Sequence, residues 1–271
     1  MPRNRFHTAN QPESDITAFF LSCDRLDLLD RTITSFLATS RDCPTRKIIY
    51  DDSAHSEVFR KIVNKYGHEF DVVCFAENRG IQAAQDFMVS YCFTPYIFYV
   101  EDDWLFLKDG YLPLSKRILQ AYREIGLIDL SDNPDNRLIG TEYDILGETT
   151  EDFVFKKPWR ISKEHLWWIG YCGAPNLKRR ADLVRLGRHE TTCAEWHIDR
   201  IFALIGLKCV FSNEVYATHI GAGRSVMDTK RQREQLTPDD LWPVKTLPQL
   251  PKIDWSFAER SQTDNCQPLL P

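Results

Sequence analysis

The sequence is poor in the features that mark several common protein classes. Its eight cysteines include no C-x-x-C pair, and several sit inside apolar runs such as DVVCF and KCVF. They read as reduced core residues, which points to a cytoplasmic protein rather than a disulfide-stapled one. No stretch approaches the roughly 18 consecutive apolar residues that a membrane span needs, and the opening MPRNRFHTANQPESD has no apolar h-region. The expectation is therefore no transmembrane segment and no secretion signal, with peripheral membrane contact left open. The net charge of -5 comes from 34 basic and 39 acidic residues mixed along the chain. No basic stripe of the kind that phosphate backbones attract is present, so nucleic acid is not an expected partner. Internal repeats and low-complexity blocks are also missing.

What is present suits a sizeable globular core: 271 residues, 43% hydrophobic and 12% aromatic, enough for one large α/β domain or two small ones. The first hundred residues alternate between short apolar runs and segments with helical spacing. Strands are expected at ITAFFLS (16–22), RKIIYDDS (46–53), DVVCFAE (71–77) and YIFYVED (96–102). Helices are expected between them, the first with Leu29, Ile33, Phe36 and Leu37 on one stripe and Asp27 as a cap. The second carries Phe59, Ile62, Val63 and Tyr66, with Gly67 as its stop, and the third spans 81–93. Runs this apolar, separated by helices, imply a parallel sheet covered on both faces, with ligands outside the carboxyl ends of its strands.

The later chain is less regular. A helix is expected within 110–125, a loop at LSDNPDNR, and strands at RLIGTEYDIL and DFVFKK. PNLKRRADLVRLG (175–187) and CAEWHIDRIFALIG (193–206) read as helices, followed by a strand KCVFS and the run EVYATHIGAG. The implied organisation is a polar N-terminal segment (1–14), a first half (15–108), a second half (109–225) and a proline-punctuated tail (226–271).

One stretch raises a question of energetics. YIFYVEDDWLF ends an apolar strand in three consecutive carboxylates, Glu101, Asp102 and Asp103. Like charges about 4 Å apart at an effective dielectric near 20 cost on the order of 4 kcal/mol per pair, so water, neighbouring cations or a bound metal must offset them. Acidic oxygen-rich sites prefer hard cations such as Mg²⁺ and Mn²⁺, which keep waters and take one or two protein carboxylates beside a substrate phosphate. If extended geometry persists, Glu101 and Asp103 face one side and Asp102 the other. The bland alternative is a surface turn with one Asp capping a helix.

The order SCDRLDLLDRTITSFL, IIYDDS, ENRGIQAAQDF, YVEDDW resembles the nucleotide-sugar-binding half of GT-A fold glycosyltransferases, in particular the family 2-like group. There the first strand ends in a Ser-x-Asn-Arg-type loop, the second in Asp-Asp-Gly-Ser, a helix begins at Asn-x-Gly, and the fourth strand ends in D-x-D. The resemblance implies a Rossmann-like, mostly parallel sheet with nucleotide-binding and acceptor-binding halves, and an enzyme moving a sugar from a UDP- or GDP-sugar to a glycan or lipid-linked acceptor. It implies that Asp24 or its neighbours and Asp52 line the base pocket, and that Ser22, Arg25, Asn78, Arg79, Gly80 and Asp102 at the same strand ends bind the nucleotide sugar. Glu101 is implied near the ribose or metal waters, and Asp103 as the ligand of Mn²⁺ or Mg²⁺ on the diphosphate. This sequence departs from the pattern in having Glu101 for the first Asp, Asp24 for Asn, and Ser53-Ala54-His55 without the glycine.

A weaker resemblance continues into AEWHIDRIFALIGLKCVF, where counting back from Gly206 places Glu195 at the position of the family's catalytic Asp. Glu195 is the candidate base for inverting transfer, with Asp199 one turn later as fallback; the alternative is a surface Glu at a helix N-terminus. His219, in HIGAGRS, falls where many members of the fold place a second metal ligand, and Arg224 is expected to close over the diphosphate. Trp167, Trp168 and Tyr171, beside Gly170 and Gly173, are candidates for an aromatic floor under a sugar acceptor, unless they are core. His189, Cys193 and His197 recur every four residues in a zinc-like pattern, but GRHETT reads as loop and no fourth ligand is evident. A nucleotidyltransferase is the rival enzyme class, disfavoured because SCDRLDLL lacks the glycine-rich phosphate loop. A catalytically inactive glycan-binding domain of the same fold is the non-enzymatic alternative.

Overall fold

The computed structural model describes residues 15–40, 46–132, 152–155, 159–160, 167–168, 171–189, 195–222 and 224. The expected N-terminal segment, the strand RLIGTEYDIL and the tail fall outside them, as do Cys193 and the His197 side chain of the zinc-like pattern.

Four strands build the centre of the sheet: β1 (Ile16–Ser22), β2 (Arg46–Asp51), β3 (Asp71–Cys74) and β4 (Tyr96–Glu101). They are all parallel, in the order β4-β1-β2-β3. Between them run α1 (Leu26–Thr39), α2 (Ser56–Tyr66) and α3 (Gly80–Tyr91), the crossovers that parallel strands require. β1 is buried at every position, as a strand covered on both faces should be. Its adjacent Phe19 and Phe20 show why the run is continuously aromatic. Side chains alternate across a strand, so Phe20 packs edge-on against Phe36 and Phe70 at 4.9 and 5.7 Å. Phe19 turns the other way, onto Tyr50 and Phe87. β3 is shorter than expected, ending at Cys74, because it is an edge strand with a neighbour on one side only.

In α1 the buried stripe is Leu28, Leu29, Thr32, Ile33 and Phe36. Asp27 does not cap it: the N-cap is Arg25, which makes no side-chain cap bond. In α2, Ile62 and Tyr66 are buried, but Val63 is 38% exposed, so the apolar stripe is narrower than its sequence suggested.

After β4 the chain turns at Asp102–Asp103 into β5 (Trp104–Phe106), then forms α4 (Tyr111–Ala121) and β6 (Ile125–Asp129). β7 (Phe153–Phe155), β8 (Trp159–Arg160) and β9 (Trp167–Trp168) follow. The next segment corrects the expectation of a continuous helix over 175–187. Residues Asn176–Arg179 form β10, antiparallel to β4 on the open edge of the main sheet, and only Arg180–Leu186 is helical, as α5. Edge pairing overrides helical spacing here, and buried Arg179 is held by the carbonyls of Leu119, Arg123 and Ile125 at 2.6, 2.8 and 2.5 Å. α6 (Glu195–Leu204), β11 (Lys208–Ser212) and β12 (Ala217–His219) complete the described elements. β11 pairs with β6 and β7 in a second sheet, and β12 lies antiparallel to β5. One hydrophobic cluster reaches from Ile16 to Ala217, so the chain is a single α/β domain with a mostly parallel central sheet. No helix among the described residues is long and apolar enough to cross a membrane.

Candidate functional site

The register of the main sheet aligns its carboxyl ends. Ser22 lies beside Asp51, Asp51 beside Cys74, and Leu21 beside Glu101. Polar strand ends therefore gather on one rim, as the sequence implied, and they form two clusters of different character.

The first surrounds the acidic triplet. The extended alternation expected for Glu101 and Asp103 does not persist, because the chain turns immediately after Glu101. Glu101 accepts a bond from Tyr99 Oη at 3.1 Å, while Asp102 and Asp103 are both buried and both turn to Arg25. The Arg25 guanidinium forks onto Asp102 through Nε, at 3.3 Å, and Nη2, and reaches Asp103 Oδ2 through Nη1 at 2.8 Å. Asp102 also accepts Ser22 Oγ at 2.9 Å and the Cys23 amide. Burial pushes the Asp102 carboxyl up to about 6, against the pull of Arg25. The repulsion posed by three adjacent carboxylates is thus offset first by a cation of the chain itself. Arg25 is thus bonded to both carboxylates.

α1 clamps the turn. Thr32 Oγ1 donates to the Asp102 carbonyl at 2.8 Å and accepts the Trp104 amide at 3.1 Å, and the Phe106 amide donates to Ser35 Oγ at 3.0 Å. Sequence reasoning missed these two residues. The available signal was a threonine inside the apolar stripe of α1, three residues before a serine.

β12 brings the second half to the same place. Pairing of His219 with Trp104 sets His219 Nε2 3.3 Å from Asp103 Oδ2, and the Ile220 amide donates to the Asp103 carbonyl at 2.8 Å. Burial opposes ionisation of Asp103, but His219 and Arg25 hold its carboxyl below the usual range; the same hydrogen bond raises His219. Gly221 is a glycine because a Cβ there would stand 2.6 Å from Asp103 Cβ, far inside contact distance. Asp103 Oδ1, by contrast, is buried without a hydrogen-bond partner, which is costly for a carboxylate oxygen. A hard cation would satisfy it, and one carboxylate oxygen with an imidazole beside the same carboxylate is a donor set that suits Mn²⁺ or Mg²⁺. Among the described residues no group of three acidic, histidine or cysteine side chains converges into a closed metal cage.

The second cluster joins β1, β2 and α3. Asp52 accepts the amides of Arg79 and Gly80 at 2.9 and 2.8 Å, so its carboxylate caps the N-terminus of α3. Asn78 Nδ2 donates to the Asp52 carbonyl at 2.6 Å and approaches Cys23 Sγ at 3.5 Å. Burial and then Asp52 push the Cys23 thiol up to about 11, which makes it a poor nucleophile. Asp24 is exposed with φ 56, a left-handed conformation that Asn and Asp tolerate best, which accounts for Asp where the family has Asn. Ala54 has φ 59, so the departure from glycine in this loop carries backbone strain.

Arg224 is exposed and paired through both terminal nitrogens with Asp27, at 2.7 and 3.0 Å, lowering the Asp27 carboxyl to about 2. Asp199 is fully buried and accepts the Tyr171 amide at 2.6 Å, which suits it to hold the segment before β10. Tyr171 is 1% exposed, with its ring against Phe202 and under Lys178 Nζ. It belongs to the core instead of an exposed acceptor floor, because it fills the space between α6 and β10. Glu195 opens α6, and Trp167 and Trp168 form β9. Gly173 lies in the turn leading to β10.

A parallel β4-β1-β2-β3 core, an antiparallel strand on its β4 edge and an acidic turn after β4 together make a GT-A fold. The chain belongs to glycosyl transferase family 2, whose profile matches residues 18–160, just over half of its length. Among solved structures it is similar to mannosyltransferase PcManGT from Pyrobaculum calidifontis in complex with GDP-Man and Mn²⁺. The TM-score is 0.58 at 15% identity, over 84% of this chain and 62% of that one. It is also similar to GalNAc-T7 with UDP, GalNAc and Mn²⁺ (TM-score 0.56, 13% identity, 75% of this chain, 43% of that one). A third is TarS residues 1–349 from S. aureus (TM-score 0.52, 14% identity, 76% of this chain, 60% of that one). The chain thus spans less than two thirds of each of these proteins. No curated protein sequence matches it.

Proposed function

We propose that this chain is a metal-dependent, hexosyltransferase-type enzyme that moves a sugar from a nucleotide diphosphate sugar to a hydroxyl of a glycan or lipid-linked acceptor, with inversion. The observation that carries this reading is Asp103 Oδ1, buried and unpartnered on the rim beside His219. Asp103 and His219 would hold the cation, which when bound neutralises charge on the departing diphosphate. Residues 15–108 would form the donor half and 109–225 the acceptor half.

Asp24, Asn78 and Cys23 border the space proposed for the base, over a loop that Asp52 ties to α3. Glu195 is the proposed base: it takes the acceptor hydroxyl proton as that oxygen bonds to sugar C1, while the C1–O bond to the diphosphate breaks and its electron pair leaves on the phosphate. Asp199 would position the acceptor-side segment through the Tyr171 amide. Trp167, Trp168 and Gly173 remain the proposed acceptor contacts. For Arg224 to reach the diphosphate, its guanidinium must exchange Asp27 for phosphate oxygens.

GDP-Man and Mn²⁺ accompany the Pyrobaculum mannosyltransferase, and UDP, GalNAc and Mn²⁺ accompany GalNAc-T7, so UDP- and GDP-sugars are the donors to screen. Donor consumption is expected with Mn²⁺ and not in chelator; equal consumption in both would remove the metal from the reading. Glu195→Gln is expected to retain nucleotide binding and lose turnover.

A further inference from the structure

Arg25 occupies an unusual position for a cation beside a metal site. Its guanidinium holds Asp102 through two nitrogens and Asp103 Oδ2 through the third, and the side chain is only 16% exposed. Its backbone is fixed as well, since its carbonyl accepts the Leu28 and Leu29 amides of the first turn of α1. On the outer side, Nη1 lies 3.4 Å from the Arg224 carbonyl, in the turn closed by the Arg224 amide on Gly221. Among the described residues the guanidinium thus lies between the acidic pair and the Arg224 carbonyl.

We propose that Arg25 is a built-in counter-cation that keeps a divalent ion from binding without nucleotide and makes ion entry depend on the diphosphate. This rests on the glycosyltransferase reading. The Arg25 guanidinium, bonded to both Asp102 and Asp103, offsets part of the negative charge at the turn. Asp103 already shares Oδ2 between Arg25 and His219 and has only Oδ1 to offer. A divalent ion arriving alone meets one ligand oxygen and the positive charge bonded to the same carboxylate. A diphosphate reverses that balance, because its oxygens supply both the missing ligands and the missing negative charge. Arg25 is therefore a positioning residue: it acts through Asp103, and its removal tightens ion binding where a purely structural residue would only weaken it.

The test is Mn²⁺ binding to the full chain, followed by electron paramagnetic resonance, with and without UDP or GDP. Wild type is expected to bind Mn²⁺ at least tenfold more tightly when nucleotide is present. Arg25→Gln is expected to raise nucleotide-free Mn²⁺ affinity at least tenfold and to shrink the nucleotide's effect correspondingly. Unchanged or weaker nucleotide-free binding in a folded Arg25→Gln variant would overturn the role of Arg25 alone. If wild type fails to bind Mn²⁺ even with nucleotide, the glycosyltransferase reading itself falls. Should Arg25→Gln not fold, Asp102→Asn supplies the opposite arm: with Arg25 kept and one negative charge removed, nucleotide-free affinity must drop, and an increase would overturn the proposal.

Discussion

The two clusters on the rim, Asp52 with α3 and Asp103 with β12, are built from the same residue type at equivalent strand ends, yet they are in different states. Both Asp52 oxygens are filled by backbone amides of α3. Asp103 has one oxygen shared between Arg25 and His219 and the other buried with no partner. The difference shows that a carboxylate at a strand end declares its use through what remains unsatisfied. Asp52 is satisfied within the fold, whereas Asp103 Oδ1 is left for the proposed cation.

The sharpest way to break this contrast is to remove the unpartnered oxygen. Asp103→Asn is expected to lower kcat with a UDP- or GDP-sugar by about 10²–10³-fold, the scale of losing an electrostatic contact in an active site. Its thermal stability, followed by calorimetry, should also fall, because the charge paired with Arg25 and His219 is lost. Equal turnover would erase the distinction between the clusters. Gly221→Ala comes next: a Cβ 2.6 Å from Asp103 Cβ forces the turn and Asp103 apart, at about 1–3 kcal/mol by denaturant unfolding. Mn²⁺ affinity should fall with it. Asp52→Ala should cost about 0.5–2 kcal/mol, the range for a lost helix cap, while leaving Mn²⁺ affinity in the presence of diphosphate within a few-fold. A large loss of metal binding there would merge the two clusters into one. The smallest effect is Ala54→Gly. Relief of a left-handed alanine, worth about 1–2 kcal/mol, is partly offset by the entropy cost of glycine, leaving a gain of about 0.5–1 kcal/mol.

The main sheet was legible in the sequence because strands buried on both faces are written as continuous apolar runs, and β1, β2 and β4 occupy nearly the spans those runs predict. β10 was not, because LKRRADLVRL carries helical spacing and only the open edge of β4 and the carbonyls around Arg179 make its first residues extended. Within the site, the charge density at 101–103 was readable, but its internal pairing was not. Alternation along a strand put Glu101 with Asp103, and the turn after Glu101 pairs Asp102 with Asp103 through Arg25. Contacts across 77 or 78 residues leave no periodic trace. Tyr171 illustrates the same limit: an aromatic beside glycines looks like a sugar platform until α6 and β10 close around it.

The most direct measurement is anomalous diffraction at the manganese edge from crystals grown with Mn²⁺ and UDP or GDP. The predicted result is a single strong peak within coordination distance, about 2.0–2.6 Å, of Asp103 Oδ1, bridging to diphosphate oxygens. A peak bound elsewhere, with Asp103 still engaged only by Arg25 and His219, would contradict it.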